Sequence, residues 1–235
     1  MKVFILAGGL GMRIRPLFPD VQKCLIPIHG KPFLEWQIKH LIAQGFRDFV
    51  ICAGYRAEQV MEYFKDGAAL DISINYSVRT AEEVQNDTGY AIRIAAPFFH
   101  EASLVLNGDT YLPIDYRAFV QAHMRSTEDQ HTVASIALVS MPAHEGSGRV
   151  MLDGRGRVSA FMEKRSDQGT GFVSAGAYIF EPGIMRYIPE GPSSLERDVF
   201  PTLAAERLLQ GVPVESGFID IGTPKGYAAL EALLV

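Results

Sequence analysis

Apolar positions recur at two different periods along this chain, and the switches between them mark out its elements. Residues 3–6 (VFIL) form a short unbroken apolar run, as expected of a strand covered on both faces of a mostly parallel sheet. A long irregular stretch follows from Gly8 to about Gly30, punctuated by Pro16, Pro19 and Pro27. Pro32 can open a helix, because its fixed φ suits a first turn. Phe33, Trp36, Ile38, Leu41 and Ile42 supply the apolar face of that helix, and Gly45 stands where a C-terminal cap belongs. Residues 48–54 (DFVICAG) read as a second strand and 57–64 as a helix. Residues 71–77 (DISINYS) alternate as a third strand, and a helix near 89–96 leads into the apolar run 103–109 (SLVLNGD). This βαβαβαβ order predicts a Rossmann-like, doubly wound α/β sheet with helices on both faces.

The second half is richer in strands. Residues 132–139 and 173–180 are apolar strand runs, and 148–164 alternate around Asp153-Gly154 as a hairpin. Ser193 and Glu196 have the spacing of a capping box ahead of a helix reaching about Arg207, and Thr223-Pro224 can open a last helix to Leu234. No linker, charge block or repeat divides the 235 residues, which are read as one domain. Its nucleotide-binding half spans about 1–111. The strand-rich insertions of about 112–235 would build the mixed sheet's second wall around a pocket.

Composition narrows the function without naming it. A formal net charge of −5 argues against a broad basic face for nucleic acid but permits a basic pocket for a small anion. Cys24 and Cys52 cannot form a disulfide framework, fit no zinc spacing and lie in apolar surroundings, so they are expected to be buried free thiols in a cytoplasmic protein. The N-terminal apolar run is too short for a signal peptide, and none approaches the roughly 20 residues of a membrane span. The six histidines show no ligand pairing and are read as surface or core polar groups.

The stretch VFILAGGLGMRIRPL raises the question of how a phosphate would be held. A Rossmann fingerprint needs a third glycine where Ile14 stands, and a P-loop needs Gly-Lys-Ser/Thr, which is absent. What remains is a glycine turn at Gly8, Gly9 and Gly11 whose backbone N–H groups can form an anion nest, with Arg13 and Lys23 beyond it. Both this turn and Asn107–Asp109 fall at the carboxyl ends of predicted strands, where open α/β sheets bind ligands.

LAGGLGMRIRPL, Lys23, NGD at 107–109, Glu163-Lys164 and DIGTP at 220–224 occur in one order along the chain, and together they resemble the sugar-1-phosphate nucleotidyltransferases. Within that family GKPFLE, VLNGDT, AGAYIF, SLERDVFP and FIDIGTP are most similar to D-glycero-α-D-manno-heptose 1-phosphate guanylyltransferases. The resemblance implies NTP, expected to be GTP, plus sugar 1-phosphate giving NDP-sugar and pyrophosphate, for surface polysaccharide. It implies Mg²⁺ on Asp109 and Asp220, with Arg13, Lys23 and Asp109 as the catalytic residues. Leu6, Ala7, Gly8, Gly9, Gly11, Met12, Arg13, Lys23, Thr88, Gly89, Asn107 and Gly108 would contact the nucleotide. Glu163, Lys164, Ser174, Ala175 and Gly176 would contact the sugar phosphate. A homo-oligomer is compatible with the resemblance. Tyr90, where a second glycine is common, would reshape the base pocket. Mannose 1-phosphate guanylyltransferase and thymidylyl- or uridylyltransferases remain open as sister activities. A glycosyltransferase of the same general fold would carry Asp-x-Asp where this chain has Asn107-Gly108-Asp109. A non-catalytic nucleotide sensor would have no need of both carboxylates.

Overall fold

The computed structural model describes residues 1–80, 83, 87–142, 149–162 and 170–234. The elements run β1 (Val3–Ala7), β2 (Pro27–Ile28), β3 (Lys31–Pro32), α1 (Phe33–Ala43), β4 (Asp48–Ala53), α2 (Ala57–Phe64), β5 (Ser73–Val78), α3 (Thr88–Ile94) and β6 (Ser103–Asn107). They continue with β7 (Thr110–Tyr111), α4 (Tyr116–Gln130), β8 (Ala134–Pro142), β9 (Arg149–Leu152), β10 (Val158–Met162) and β11 (Thr170–Phe180). A π-helical turn, Leu195–Val199, precedes α5 (Phe200–Ala205), β12 (Leu209–Pro213), β13 (Ile219–Asp220) and α6 (Pro224–Leu233).

The main sheet is ordered β10-β9-β11-β6-β1-β4-β5, with β8 alongside β11 and β12 alongside β8. β1 lies parallel to both β4 and β6, and β4 lies parallel to β5, as the βαβ order requires. β11 runs antiparallel to β6, making the sheet mixed. Because successive side chains leave opposite faces of a strand, Val3, Ile5 and Ala7 join one core with Leu34, Ile38, Val60 and Phe119. Phe4 enters a second core on the opposite face with Ile92, Phe200 and Leu203. Helices α1, α2 and α4 therefore cover one face while α3 and α5 cover the other, and the expected doubly wound α/β architecture is present.

Local chemistry explains the element ends. At the end of α1, Gly45 adopts φ +87°, with Gly45 N–H on the Ile42 carbonyl at 2.9 Å and Phe46 N–H on the Leu41 carbonyl at 3.2 Å. These paired bonds form a Schellman cap. The 148–164 hairpin is present as antiparallel β9 and β10, joined through a turn in which Asp153 Oδ1 accepts the N–H groups of Arg155 and Arg157.

Three features differ from expectation. Helix α4 was not read from the sequence, because its buried stripe includes His123 alongside Tyr116 and Phe119 and its outer face is polar. Strand β12 escaped notice because LQGVP contains a glycine and a proline; Gly211 is needed there since Leu138 and Leu152 fill the space of a side chain. The capping box is shifted by one residue. Ser194, not Ser193, accepts the Arg197 N–H at 3.3 Å, and Asp198, not Glu196, accepts the Ser194 N–H at 2.7 Å. The wider π-turn sets the reciprocal carboxylate four residues after the cap instead of three.

Aromatic packing locks the second core. Phe200 lies 5.7 Å from Phe161 and 5.1 Å from Tyr178, ring centre to ring centre, all on the α5 face. Truncating Phe200 to alanine leaves a void in a closed core and is expected to cost about 3–5 kcal/mol, read as a lower urea midpoint.

Candidate active site

The carboxyl ends of β1 and β6 open onto a cavity of about 520 Å³. Leu6, Ala7, Gly8, Gly9, Gly11, Met12, Lys23, Thr88, Asn107, Gly108 and Asp109 all line it, so most of the nucleotide residues named from the sequence converge. Glycine is required here for several distinct reasons. Gly11 has φ +62° and packs on the Lys23 side chain; a Cβ on Gly108 would come within 2.8 Å of the Leu6 carbonyl oxygen. Gly8 leaves room for the Arg79 guanidinium. A Cβ on Gly9 would meet nothing within 4 Å, so the fold itself makes no demand for glycine at that cavity-lining position.

Lys23 is set by Gln22, which is 1% exposed. The Gln22 side chain donates to the Ala7 carbonyl and accepts the Cys24 N–H, both at 2.6 Å, tying the lysine's turn to the end of β1. Lys23 Nζ donates to Asp109 Oδ2 at 2.5 Å and stands 3.7 Å from Asp220 Oδ1. Arg13 completes the cluster through Asp220 Oδ2 at 2.8 Å. Its side chain is 64% exposed whereas that of Lys23 is 11% exposed, so the arginine has the freedom to swing and the lysine has little.

Asp220 reaches Asp109 through backbone pairing. β13 pairs with β7, setting Asp220 opposite Thr110, and the Ile221 N–H donates to the Asp109 carbonyl at 3.0 Å. The residues after Asp220 hold its carboxylate in place. Gly222 N–H donates to Asp220 Oδ1 at 2.7 Å, and any side chain at Gly222 would collide with the Lys23 ammonium. Thr223 caps α6 by accepting the Gly226 N–H at 3.0 Å, and Gly226 has no Cβ to strike the Asp220 carbonyl.

The opposite wall is the N-terminus of α3. Asp87 gives it no side-chain cap; instead the Ser193 carbonyl accepts the N–H groups of Gly89 (2.8 Å) and Tyr90 (3.1 Å). Gly89 packs so closely on Ser193 that a Cβ would come within 2.8 Å of its hydroxyl. Tyr90 does not line the cavity, and its hydroxyl donates to Glu83 Oε1 at 2.8 Å, a bond that raises the phenol's pKa. On β11, Gly176 has φ +71° and packs against the Asn107 amide, and the pairing with β8 slips between Ser174 and Tyr178. Such irregularities re-aim strands beside sites. Ala175 is fully buried, with its methyl in the core beneath β11. Glu163 and Lys164 lie outside the described residues.

The sequence reading missed Gln22, Cys24, Arg79 and Asp87 among the cavity residues. Arg79 carried a signal, since it directly follows β5 at the ligand edge of the sheet; burial pushes its guanidinium pKa down. Cys24 and Cys52 are buried free thiols as expected. Burial and then the Asp109 charge push the Cys24 thiol up, and burial pushes Cys52 up to about 12. Cys24 thus stays protonated and is no nucleophile. His123 does bond Ser135 Oγ at 2.8 Å and Glu181 Oε1 at 3.1 Å, but Ser135 is fully buried, so this trio is core polar structure.

Fold and site together define an open-sheet α/β protein with a cavity at the carboxyl ends of its central strands, where a glycine turn meets two cations and two carboxylates. The sequence profile of the Nucleotidyl transferase family matches residues 2–234, and the chain belongs to that family. It is 32% identical to the mannose-1-phosphate guanylyltransferase of Mycobacterium tuberculosis, over 98% of this chain and 64% of the relative. It is 31% identical to the D-glycero-alpha-D-manno-heptose 1-phosphate guanylyltransferase of Campylobacter jejuni, over 97% of each. Among solved structures, HddC from Yersinia pseudotuberculosis complexed with GMP-PN superposes with a TM-score of 0.82 at 27% identity, over 100% of this chain and 99% of that one. Relatives include uridylyltransferases as well. The chain spans under two thirds of the length of several curated relatives it matches. Among the described residues no helix is long and apolar enough to cross a membrane.

The glycines separate fold from ligand. Gly9→Ala is expected to leave unfolding free energy within about 0.5 kcal/mol while weakening nucleotide binding about tenfold or more. Gly108→Ala, pressed on backbone, should lose about 1–3 kcal/mol of stability in urea unfolding.

Proposed function

We propose that this protein transfers a nucleoside monophosphate from GTP to D-glycero-α-D-manno-heptose 1-phosphate, giving the nucleotide sugar and pyrophosphate. The observation that carries the transfer chemistry is the cluster of Arg13, Lys23, Asp109 and Asp220 beside the glycine nest. Guanine and heptose draw support from the Campylobacter relative, alike over nearly the full length of both chains, and from the GMP-PN-bound neighbour. Mannose 1-phosphate with GTP, or another hexose 1-phosphate with UTP or dTTP, is the alternative.

Two polyanions must meet, so the work is positioning and charge neutralisation. The N–H groups of residues 8–11 would cradle the triphosphate. Lys23 would take the α-phosphate, and Arg13, free to leave Asp220, would take the β- and γ-phosphates. Thr88 and Gly89 would wall the base. Glu163, Lys164 and the stretch Ser174, Ala175, Gly176 would hold the sugar phosphate. An oxygen of the sugar phosphate attacks the α-phosphorus in line. The bond from that phosphorus to the bridging oxygen breaks, and pyrophosphate leaves with its charge met by Arg13. No covalent enzyme intermediate is needed, in keeping with the inert Cys24 thiol.

A magnesium ion suits the donor set: Asp109 and Asp220 are two carboxylates gathered on one cationic centre, and Mg²⁺ is usually held by one or two carboxylates plus phosphate oxygens and waters. When bound, it supplies positive charge to the phosphate oxygens at the transfer point.

A matrix of nucleoside triphosphates against sugar 1-phosphates, scored by pyrophosphate release, tests the assignment; the heptose phosphate with GTP should give the highest kcat/KM, and turnover of some other pair would reassign the substrates. Asp109→Asn and Asp220→Asn should abolish pyrophosphate release while the chain stays folded, and a fully active double variant would remove the metal assignment. Arg13→Ala should lower kcat/KM by about two orders of magnitude or more, since a transition-state charge contact is lost.

A further inference from the structure

The Leu195–Val199 π-turn brings one carboxylate between the two halves of the site. Glu196 Oε2 accepts hydrogen bonds from Thr88 Oγ1 at 3.1 Å and Ser194 Oγ at 3.0 Å. Its Oε1 accepts from the Tyr178 hydroxyl at 3.1 Å. Asp198 has taken over the capping bond that the sequence assigned to Glu196, so this side chain is released for another role. Among the described residues no lysine or arginine forms an ion pair with it, so it is not there to balance a neighbouring cation. It is surrounded by hydroxyl donors instead.

An ionised carboxylate only accepts, so all three hydroxyls must turn their protons toward it. Each then offers only lone pairs on its other side. The Thr88 oxygen takes the Leu195 N–H at 2.9 Å, which clamps the first residue of α3 to the π-turn. The Tyr178 oxygen takes the Ser174 hydroxyl at 3.4 Å. Proton direction therefore propagates from one charge to Thr88 on the cavity wall and, through Tyr178, to Ser174 on β11. Tyr178 is 1% exposed and carries this order through a dry interior, where burial and the Glu196 charge push its phenol pKa far up and keep it a donor.

We infer that Glu196 is a positioning residue for both substrates: its single carboxylate fixes the nucleotide wall at Thr88 and, through Tyr178, the sugar-facing Ser174 in one mutual arrangement. The inference rests on the transfer reaction proposed above.

The test uses the full chain carrying Glu196→Gln or Tyr178→Phe. Four quantities are read: the dissociation constant of the nucleoside triphosphate that wild type turns over, the KM of the sugar phosphate, kcat, and the thermal midpoint. Glu196→Gln is expected to weaken nucleotide binding and raise the sugar-phosphate KM, each about 5–20-fold, with kcat within about threefold and the midpoint nearly unmoved. Tyr178→Phe keeps the ring packing and cuts only one arm, so the sugar-phosphate KM rises while nucleotide affinity holds. Unchanged constants in Glu196→Gln, a change confined to one substrate, or a general loss in which kcat and the midpoint fall as the dissociation constant and KM rise would overturn the inference. If Glu196→Gln fails to fold, an unchanged sugar-phosphate KM in Tyr178→Phe overturns it by itself. A wild type inert toward every substrate pair overturns the proposed reaction, whereas an active wild type with insensitive variants overturns the positioning role alone.

Discussion

Two carboxylates from distant parts of the chain meet on one ammonium, and most of the local architecture serves to keep them there. Asp109 follows the central strand β6, while Asp220 arrives by the short β13–β7 ladder. Lys23 Nζ joins them, and Gly222 exists as glycine because any side chain would displace that ammonium. Gln22 anchors the lysine's turn to β1, and Thr223 with Gly226 brings α6 down over the Asp220 carbonyl. Two carboxylates sharing one site repel each other; the cations make the convergence tolerable.

The cluster is balanced in charge, with two acids set against two bases. Under the proposed reaction, a divalent cation taken up by the acids would release Lys23 and Arg13 toward phosphate. The difference in their exposure would divide the labour in that reaction: the withdrawn lysine as a fixed charge, the exposed arginine free to follow the leaving pyrophosphate. A glycine nest adds backbone dipoles that need no reorganisation. Nothing in this arrangement calls on a nucleophilic side chain, and the nearby thiol is held neutral.

The mixed sheet joins the nucleotide and sugar halves. β11 lies antiparallel beside β6, so its slipped, glycine-bearing segment abuts Asn107 at the end of the central strand. The bulge and the π-turn are both departures from regular geometry, and both lie against the same polar chain from Ser174 through Tyr178 to Glu196. Irregular backbone has been concentrated where side chains must be aimed, while the parallel strands behind it stay regular and apolar.

Much of this was legible in the chain itself. The apolar runs that became β1, β4 and β6 are continuous because those strands are covered on both faces, and Gly45 marked the end of α1 because a Schellman cap favours a residue at home with positive φ. The glycine turn, Lys23, Asn107–Asp109 and DIGTP were readable as one set because they stand in the order that the sugar-1-phosphate nucleotidyltransferases share. Helix α4 was not legible, since a buried histidine interrupts its apolar stripe, and neither were the bonds made by Gln22 or Glu196. Each of these two is a polar residue whose meaning lies in a partner distant along the sequence. Linear patterning thus determined the parallel strands of the sheet and their winding, because periodicity and backbone chemistry are properties of neighbours. Only the tertiary structure decided which carboxylate caps a helix and which one orients the site, because a hydrogen bond's partner is chosen by packing in space.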